Sequence, residues 1–413
     1  MTAPAPSVTS LEIMPVYGQS ENRPIPSALA TLLDNASIGQ VHFTAGMVTA
    51  SGGAIGPEGA GVASIDQNQP ASGFADARGR GRVSPAFALQ QSRAAAWRDA
   101  GESARGVVIA DHGFGGRRIE EWQPGDTSPL GRNQLYWMRE AARLGAAQGI
   151  SVTCPHVLLF QGTSAKDQPG PDYRAAFETA HAATVAQATA LFGTAPRLIV
   201  VANGADVNST GDLYAIPTVQ YRLALDHEGI VATWQRLYPI HDRNVHIADR
   251  AQILIGETCA WAAAEVEAGR SWNITYQVAK SGSSVVVSFA LRPGETLLER
   301  TDLYDSFGGA ATCPHYGFEA DGGITAAVAD PAGNTVTLTL ASAGAQWLRL
   351  AHQVQDCSAL TDAGGQTMSA HRSTLFGSLS RASRFVANET LWRPVPGFRG
   401  SFSGEQFIPD AGG

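Results

Sequence analysis

The chain has few charged residues and no cluster of basic ones. Only 16% of its 413 residues are Asp, Glu, Lys or Arg, and the formal net charge is −8. Nucleic acids and anionic membrane surfaces both require a basic face, so neither is expected as a partner. No apolar run reaches the roughly 20 residues of a membrane span. A lightly charged surface fits a neutral glycan better.

Cysteine is also scarce. Cys154, Cys259, Cys313 and Cys357 are too few and too scattered for a disulfide framework or a zinc ribbon. Cys154 and Cys259 lie in apolar patterns and are predicted to be buried thiols, whereas a bridge between Cys313 and Cys357 is left open. No cofactor and no metal are expected.

The first residues lack the basic head and apolar core of a secretory signal. We therefore expect the protein either to stay in the cytoplasm or to be carried on a particle, such as a phage or gene-transfer particle, that lysis releases. Assembly into a homo-oligomer or into such a particle is left open.

The first two-thirds of the chain alternates strand-like and helix-like segments. This alternation predicts a parallel sheet with helices on both faces, and ligands in such folds bind at the carboxyl ends of the strands. The predicted strands are residues 11–17, 106–111, 151–160, 198–202 and 230–240, and the predicted helices are 85–100, 135–148, 173–192 and 251–268.

After about residue 269 the pattern changes to alternation with period two, interrupted by turns rich in Gly, Asp and Asn. This pattern predicts an antiparallel, β-sandwich-like domain. We therefore divide the chain into an α/β domain at 1–268 and a β-rich domain at 269–413. The predicted strands are 272–279, 284–291, 325–329, 335–340 and 347–351.

A candidate nucleophile follows the first strand in the run Gly18-Gln19-Ser20. A serine hydroxyl becomes a nucleophile only when a base takes its proton, so Ser20 needs a histidine nearby. Taken alone, Ser20 is better explained as a residue that caps the turn after the strand. No Gly-x-Ser-x-Gly segment occurs, which excludes the nucleophile elbow of the α/β-hydrolase fold.

Backbone and side-chain amides at two further strand ends are candidate oxyanion donors. Gly115 and Gly116 form a pair of glycines that lets a backbone N–H approach a ligand closely. Gln161 can direct its amide N–H₂ into the cleft or bond a neighbouring loop instead. Asn203 competes with Gln161 for the same role and ranks second.

A candidate general base lies in the turn before the last helix of the α/β part. His246 would act as base and then as acid, and Asp242 would orient it. A helix-capping Asp with an inert histidine is the structural alternative. A metal site made of His241, Asp242, His246 and Asp249 is a weaker alternative, because no second ligand cluster accompanies it.

These four segments, in this order, resemble the SGNH (GDSL-like) hydrolase superfamily, most closely its carbohydrate O-acetylesterase branch, which includes sialate O-acetylesterases. The first three matching segments are Gly18-Gln19-Ser20-Glu21-Asn22, Gly115-Gly116 with Ile119 and Trp122, and Gln161-Gly162. The fourth is Asp242 with His246, followed by a predicted helix that contains Ile255-Gly256-Glu257. The resemblance covers roughly residues 11–265 and leaves the β-rich part unexplained.

The resemblance implies a flavodoxin-like three-layer α/β/α fold and a serine esterase that removes O-acetyl groups from a carbohydrate or polysaccharide. Ser20, His246 and Asp242 would be catalytic, and Gly115, Gly116, Gln161 and Gln19 would bind the oxyanion or substrate.

The sequence departs from this family in two places. Thr163 replaces the usual acid of the third segment, and one extra residue separates Asp242 from His246. Asp249 or a backbone carbonyl therefore remain alternatives for orienting His246.

The β-rich part is expected to act as a carbohydrate-binding or assembly module. Four aromatic residues there could either stack on sugar rings or fill the core: Trp272, Tyr304, Tyr316 and Trp347. The competing function is a non-catalytic, polysaccharide-binding spike or fibre component of a particle on an SGNH-like scaffold.

Overall fold

The computed structural model describes residues 8–18, 25–26, 42–43, 74–75, 82–109, 116–128, 130–165, 167–203, 215–234, 237–238, 247–300, 313–351, 359–361, 367–369 and 373–410. Within these ranges the fold is mixed α/β. Parallel sheets lie in the first part of the chain and antiparallel sheets in the second, as the two sequence patterns predict.

The first part of the chain contains short strands and the long strands of the parallel sheets. They are β1 (Ser10–Met14), β2 (Val16–Gly18), β3 (Ile25–Pro26), β4 (His42–Phe43), β5 (Phe74–Ala75), β6 (Arg82–Val83), β7 (Arg105–Ile109), β8 (Ser151–Thr153), β9 (His156–Phe160), β10 (Arg197–Ala202) and β11 (Ile230–Trp234). β3 pairs with β6 and β4 with β5 as short antiparallel ribbons.

The parallel strands form two sheets that join end to end, because β1 of one sheet continues into β2 of the other and β8 continues into β9. One has the order β7-β1-β8 and the other the order β11-β10-β9-β2. Only Pro15 separates β1 from β2. Its nitrogen cannot donate a hydrogen bond, but its carbonyl accepts one from the Leu158 N–H at 3.0 Å. The strands therefore run side by side in the order β7, β1/β2, β8/β9, β10, β11, with their carboxyl ends at one edge.

Helices connect these strands. They are α1 (Pro85–Asp99), α2 (Leu130–Gln148), α3 (Gly170–Phe192), α4 (Ala215–Asp226) and α5 (Asp249–Glu267). The Ser84 hydroxyl caps α1 by accepting from the Phe87 N–H at 3.1 Å, and α3 ends at Gly193 with φ +80°.

The sequence analysis did not predict α4. Nearly every residue of this helix is buried, including Ile216, Val219 and Leu223. A helix that is buried on all sides lacks the one-sided apolar stripe from which helices are recognised in a sequence.

Side chains alternate between the two faces of β1. Leu11 and Ile13 pack with Trp137 and Met138 of α2 in one buried cluster. Glu12 points to the opposite face, where it pairs with Arg93. α1 packs on α5 on that side, whereas α2 packs on α3 and α3 on α4. The parallel strands are therefore covered by helices on both faces.

A buried charge cluster lies on the α1 and α5 side. Arg93 donates to Glu12 at 2.6 Å and to Glu267 at 2.7 Å, and His156 lies 3.7 Å from Glu267. Burial alone would raise the pKa of Glu12, but the charges and hydrogen bonds of Arg93 and His156 lower it to about 2. The carboxylate therefore stays ionised inside the protein.

The second part of the chain consists of strands. They are β12 (Thr275–Ser281), β13 (Ser284–Ala290), β14 (Leu297–Glu299), β15 (Phe318–Ala320), β16 (Ile324–Asp330), β17 (Thr335–Leu340), β18 (Trp347–Leu350), β19 (Ala359–Thr361), β20 (Thr367–Ser369), β21 (Leu375–Ala382), β22 (Thr390–Pro394), β23 (Phe398–Ser403) and β24 (Gln406–Pro409). Their sheets have the orders β12-β13-β17-β16, β15-β18-β23-β24, β14-β21-β22 and β19-β20.

The two four-stranded antiparallel sheets share one buried cluster. Val285 and Leu338 of the first sheet belong to it, together with Leu348 and Phe398 of the second. Other residues of the second part join the large core of the parallel sheet instead. These are Trp272, Phe376, Phe385, Val386 and Leu391. The division of the chain at 268/269 stays a prediction.

The Ile255-Gly256-Glu257 segment lies inside α5 and connects the two parts. A Cβ on Gly256 would collide with the backbone of α1 at Pro85 and Leu89, so glycine allows the two helices to touch. The buried Glu257 carboxylate accepts hydrogen bonds from the Ser383 hydroxyl and, at 2.6 Å, from the Arg384 N–H. This carboxylate is thus bound by residues 126 and 127 positions further along the chain.

Cys154 and Cys259 are free and buried, as predicted. Cys313 is disulfide-bonded, and Cys357 lies outside the described residues. None of the helices that the structure describes is long and apolar enough to cross a membrane.

Candidate active site

Two of the seven predicted site residues, Gly116 and Gln161, lie in the described part of the chain. The remaining five lie outside the described residues: Gln19, Ser20, Gly115, Asp242 and His246.

The strand register brings two of the four predicted segments together. Gly18, the last residue of β2, pairs with Phe160, the last residue of β9. The residues that directly precede Gln19 and Gln161 are therefore neighbours at the carboxyl edge of the sheet. The next strand along the sheet, β10, ends at Ala202, which immediately precedes Asn203.

Gln161 is fully buried and links several segments at this edge. Its side-chain Nε2 donates to the Arg117 carbonyl at 2.9 Å. Its backbone carbonyl accepts from the Tyr173 hydroxyl at 3.0 Å and from the Gln220 side-chain amide. Of the two possibilities left open by the sequence, the bond to a neighbouring loop is therefore present, and it holds the turn that contains Gly116.

Gly116 is exposed and has φ +74°, a conformation that side-chain-bearing residues rarely adopt. Arg117 follows it and pairs with Glu121 at 3.0 Å. The chain then enters a short 3₁₀ helix, Ile119–Trp122, whose two terminal residues are buried. These buried side chains and the Gln161 bond hold the segment that follows Gly116.

Asn203 is a buried polar residue of the described site with two hydrogen bonds. Its Oδ1 accepts from the Thr163 hydroxyl at 2.6 Å, and its backbone N–H donates to Gln220 Oε1 at 2.7 Å. Its Nδ2 is buried and has no hydrogen-bond partner among the residues that the structure describes. A buried amide donor without an acceptor is costly unless a ligand or a reaction intermediate uses it.

Gly162 allows this network to form. A Cβ at this position would lie well inside van der Waals contact with the Asn203 carbonyl and would press on the Gln220 side chain. Glycine therefore lets the ends of β9 and β10 approach each other, which brings Thr163 within reach of Asn203.

The described network is electrically neutral. Gln161, Thr163, Asn203, Gln220 and Tyr173 carry no charge, and burial raises the pKa of Tyr173, so its hydroxyl remains a donor. Neutral donors in a site closed to water are suited to stabilising a negative charge that develops during a reaction.

Asp249, an alternative partner for His246, is the first residue of α5. Its Oδ1 accepts from the Arg250 N–H at 2.8 Å, an ordinary contact at a helix start. Among the described residues no group of three or more His, Cys, Asp or Glu side chains is arranged to hold a metal ion.

Sequence reasoning missed Gln220 and Tyr173. Gln220 lies on the unpredicted helix α4, so the sequence offered no reason to place it at the site. Tyr173 was included in a predicted helix, but only the fold directs its hydroxyl to the carbonyl of residue 161.

No family model and no curated protein sequence matches the chain. Among solved structures, a carbohydrate acetylesterase from Xanthomonas citri aligns over 94% of this chain and 80% of its own, with 17% identity and a TM-score of 0.55. An aryl esterase from M. smegmatis aligns over 63% of this chain and 100% of its own, with 12% identity and a TM-score of 0.31. The chain therefore shares its overall fold with the Xanthomonas citri enzyme.

Proposed function

We propose that the chain is a serine esterase of the SGNH type that removes O-acetyl groups from a carbohydrate. The proposal is carried by one observation. The strand that leads to Ser20 ends beside the strand that leads to Gln161, in a fold shared with a carbohydrate acetylesterase. Two consecutive Cα–Cα steps span at most about 7.6 Å, so we expect Ser20 to be near Gly18 and this edge.

The proposed reaction is a two-step acyl transfer. Ser20 Oγ attacks the carbonyl carbon of an acetyl ester while His246 accepts its proton, and Asp242 orients the imidazole. The tetrahedral intermediate expels the sugar oxygen, to which His246 returns the proton. Water, activated by the same histidine, then attacks the acetyl-enzyme and releases acetate and free Ser20.

The negative charge of the intermediate requires nearby N–H donors. We assign this role to the backbone N–H groups of Ser20 and Gly116 and to side-chain amides at the ends of β9 and β10. Gln161 gives one N–H to the Arg117 carbonyl and thereby positions the Gly116 turn. Within the described part of the chain Asn203 Nδ2 has no acceptor, which makes it the better-supported side-chain donor.

We further propose the finer architecture that this function implies. The order β7, β1/β2, β8/β9, β10, β11 with helices on both faces fits a flavodoxin-like α/β/α arrangement. The strands after residue 268 fit a β-sandwich-like domain that packs on it.

Acetate release from O-acetylated polysaccharides tests the function. The wild-type chain should release acetate from at least one member of a panel of O-acetylated plant and bacterial polysaccharides, and it should hydrolyse p-nitrophenyl acetate. Ser20→Ala should abolish both activities, whereas Ser284→Ala, at an exposed serine of β13, should leave both unchanged. Undiminished turnover by Ser20→Ala would refute the assignment, and polysaccharide binding without any hydrolysis would favour the non-catalytic scaffold.

A further inference from the structure

One face of the sheet β15-β18-β23-β24 carries an exposed tryptophan. Of the four aromatic residues considered from the sequence, Trp272 is buried in the core, whereas 37% of Trp347 is exposed. Large apolar residues are otherwise well covered: among the described residues only Val328, Trp347 and Ile408 are exposed. An exposed tryptophan on a sheet points to a ligand more often than a lone exposed aliphatic residue does.

Trp347 belongs to a row of side chains that crosses three strands. It pairs with Ser401 on β23, and Ser401 pairs with Ile408 on β24. Neighbouring strands lie about 4.8 Å apart, so the row spans about 9.6 Å from Trp347 to Ile408. This is close to the length of two linked pyranose rings. The row has an apolar side chain at each end, Trp347 and Ile408, and the Ser401 hydroxyl between them.

A second row lies two residues further along the strands. Glu319 pairs across the strands with Arg349, and Arg349 pairs with Arg399. Arg349 forms an ion pair with Glu319 at 2.5 Å, and Arg399 forms one with Asp410. This row is partly exposed and offers both donors and acceptors, yet its two positive and two negative charges cancel.

Arg349 also connects the two rows. Its guanidinium lies 4.7 Å from the centre of the Trp347 ring. Because Trp347 and Arg349 are two residues apart on one strand, they are on the same face of the sheet. The guanidinium over the ring limits the motion of the indole, and 37% of Trp347 remains exposed.

We propose that this surface, called the Trp347 face, binds an uncharged polysaccharide chain. It consists of Trp347, Ser401, Ile408, Glu319, Arg349, Arg399 and Asp410. The indole would stack on the C–H face of one sugar ring. The paired arginines and carboxylates would exchange hydrogen bonds with its hydroxyls, which both donate and accept.

The charges and the size of the Trp347 face favour this occupant. Both arginines are already paired with carboxylates, so an acidic glycan would gain little attraction and would meet two negative groups. A stable protein interface buries about 1,200–2,000 Å² of surface. The Trp347 face has only two exposed apolar side chains, separated by a serine, and these offer far less apolar area than such an interface needs. The role of this face in holding the substrate chain rests on the proposed esterase function.

Affinity electrophoresis of the full chain tests the proposal. The gels would contain glucomannan, arabinoxylan or dextran as uncharged probes, and polygalacturonate as the acidic probe. We expect at least one uncharged probe to retard the protein, and Trp347→Ala to weaken that interaction about tenfold. Trp347→Phe should retain most of the affinity because it keeps an aromatic ring. Val328→Ala, at the exposed aliphatic residue of the other sheet, is the matched control.

The proposal is overturned if no uncharged probe retards the protein, if polygalacturonate alone does, or if Trp347→Ala binds as the wild type does. Hydrolysis of p-nitrophenyl acetate, measured on the same samples, separates this proposal from the esterase function. This small ester does not need the Trp347 face, so Trp347→Ala should hydrolyse it at the wild-type rate. A third outcome is that the wild type binds an uncharged probe and Trp347→Ala loses that binding while neither protein hydrolyses the ester. That result would refute the esterase function and support the Trp347 face as a binding site.

Discussion

Replacing Asn203 by Ala removes a side-chain N–H₂ that donates to none of the described residues. Its Oδ1 does have a partner, the Thr163 hydroxyl at 2.6 Å. Loss of that hydrogen bond costs about 1 kcal/mol of folding stability. Loss of an oxyanion donor costs roughly 2.7–4 kcal/mol of transition-state stabilisation, which lowers kcat by about 10²–10³. The catalytic loss should therefore greatly exceed the structural one.

Steady-state hydrolysis of p-nitrophenyl acetate and urea unfolding, measured on the same preparations, separate these two effects. Asn203→Ala should lower kcat by roughly two to three orders of magnitude, which corresponds to the loss of one oxyanion donor, with little change in KM. Thr163→Val removes the same hydrogen bond but keeps the Asn203 amide, so its stability loss should be similar and its rate loss much smaller. A kcat within about threefold of wild type for Asn203→Ala would refute the donor role.

Three further substitutions test the surroundings of the site and the buried charges. Gly162→Ala should prevent stable folding or destroy activity, because its Cβ would collide with the Asn203 carbonyl. At Gly116, in contrast, a Cβ meets open space. Gly116→Ala should therefore lower the folding stability by only about 1 kcal/mol, because of the positive φ, and its effect on catalysis should be mainly on kcat. Thermal melts and kinetics of the two variants check this, and equal melting temperatures would contradict it. The Glu12 pKa falls from 4.5 to about 2 on folding. The ionised carboxylate therefore contributes about 3 kcal/mol of stability above pH 4.5, and this is lost as the pH falls towards 2. Urea unfolding of wild type and Glu12→Gln should accordingly show a stability gap at pH 7 that narrows below pH 4.5, and a gap independent of pH would contradict this reading.

Much of the parallel sheet could be predicted from the sequence because its strands are continuous apolar runs. Residues 198–202 are predicted as a strand, and β10 covers Arg197–Ala202. The predicted strand at 11–17 is present but is interrupted at Pro15. The helix α4 was missed because it is buried on nearly all sides and shows no period.

The hydrogen-bond partners of individual side chains could not be predicted from the sequence. The Gln161 amide meets a carbonyl 44 residues earlier in the chain, and Glu257 is held by residues 126 and 127 positions later. Such contacts depend on the whole fold and leave no local pattern. Period-two alternation likewise predicts that β18 has two faces, but it does not tell which face is covered. The exposure of Trp347 became evident only from the packing of the sheets.

Covalent labelling with a fluorophosphonate ester tests the central claim most directly, because this reagent reacts with a serine only when a base and oxyanion donors activate it. We expect one adduct per chain by intact-mass spectrometry, mapped by peptide sequencing to Ser20 and lost in His246→Ala. A chain that stays unmodified, or one labelled at another serine, would contradict the assignment of Ser20 as the nucleophile.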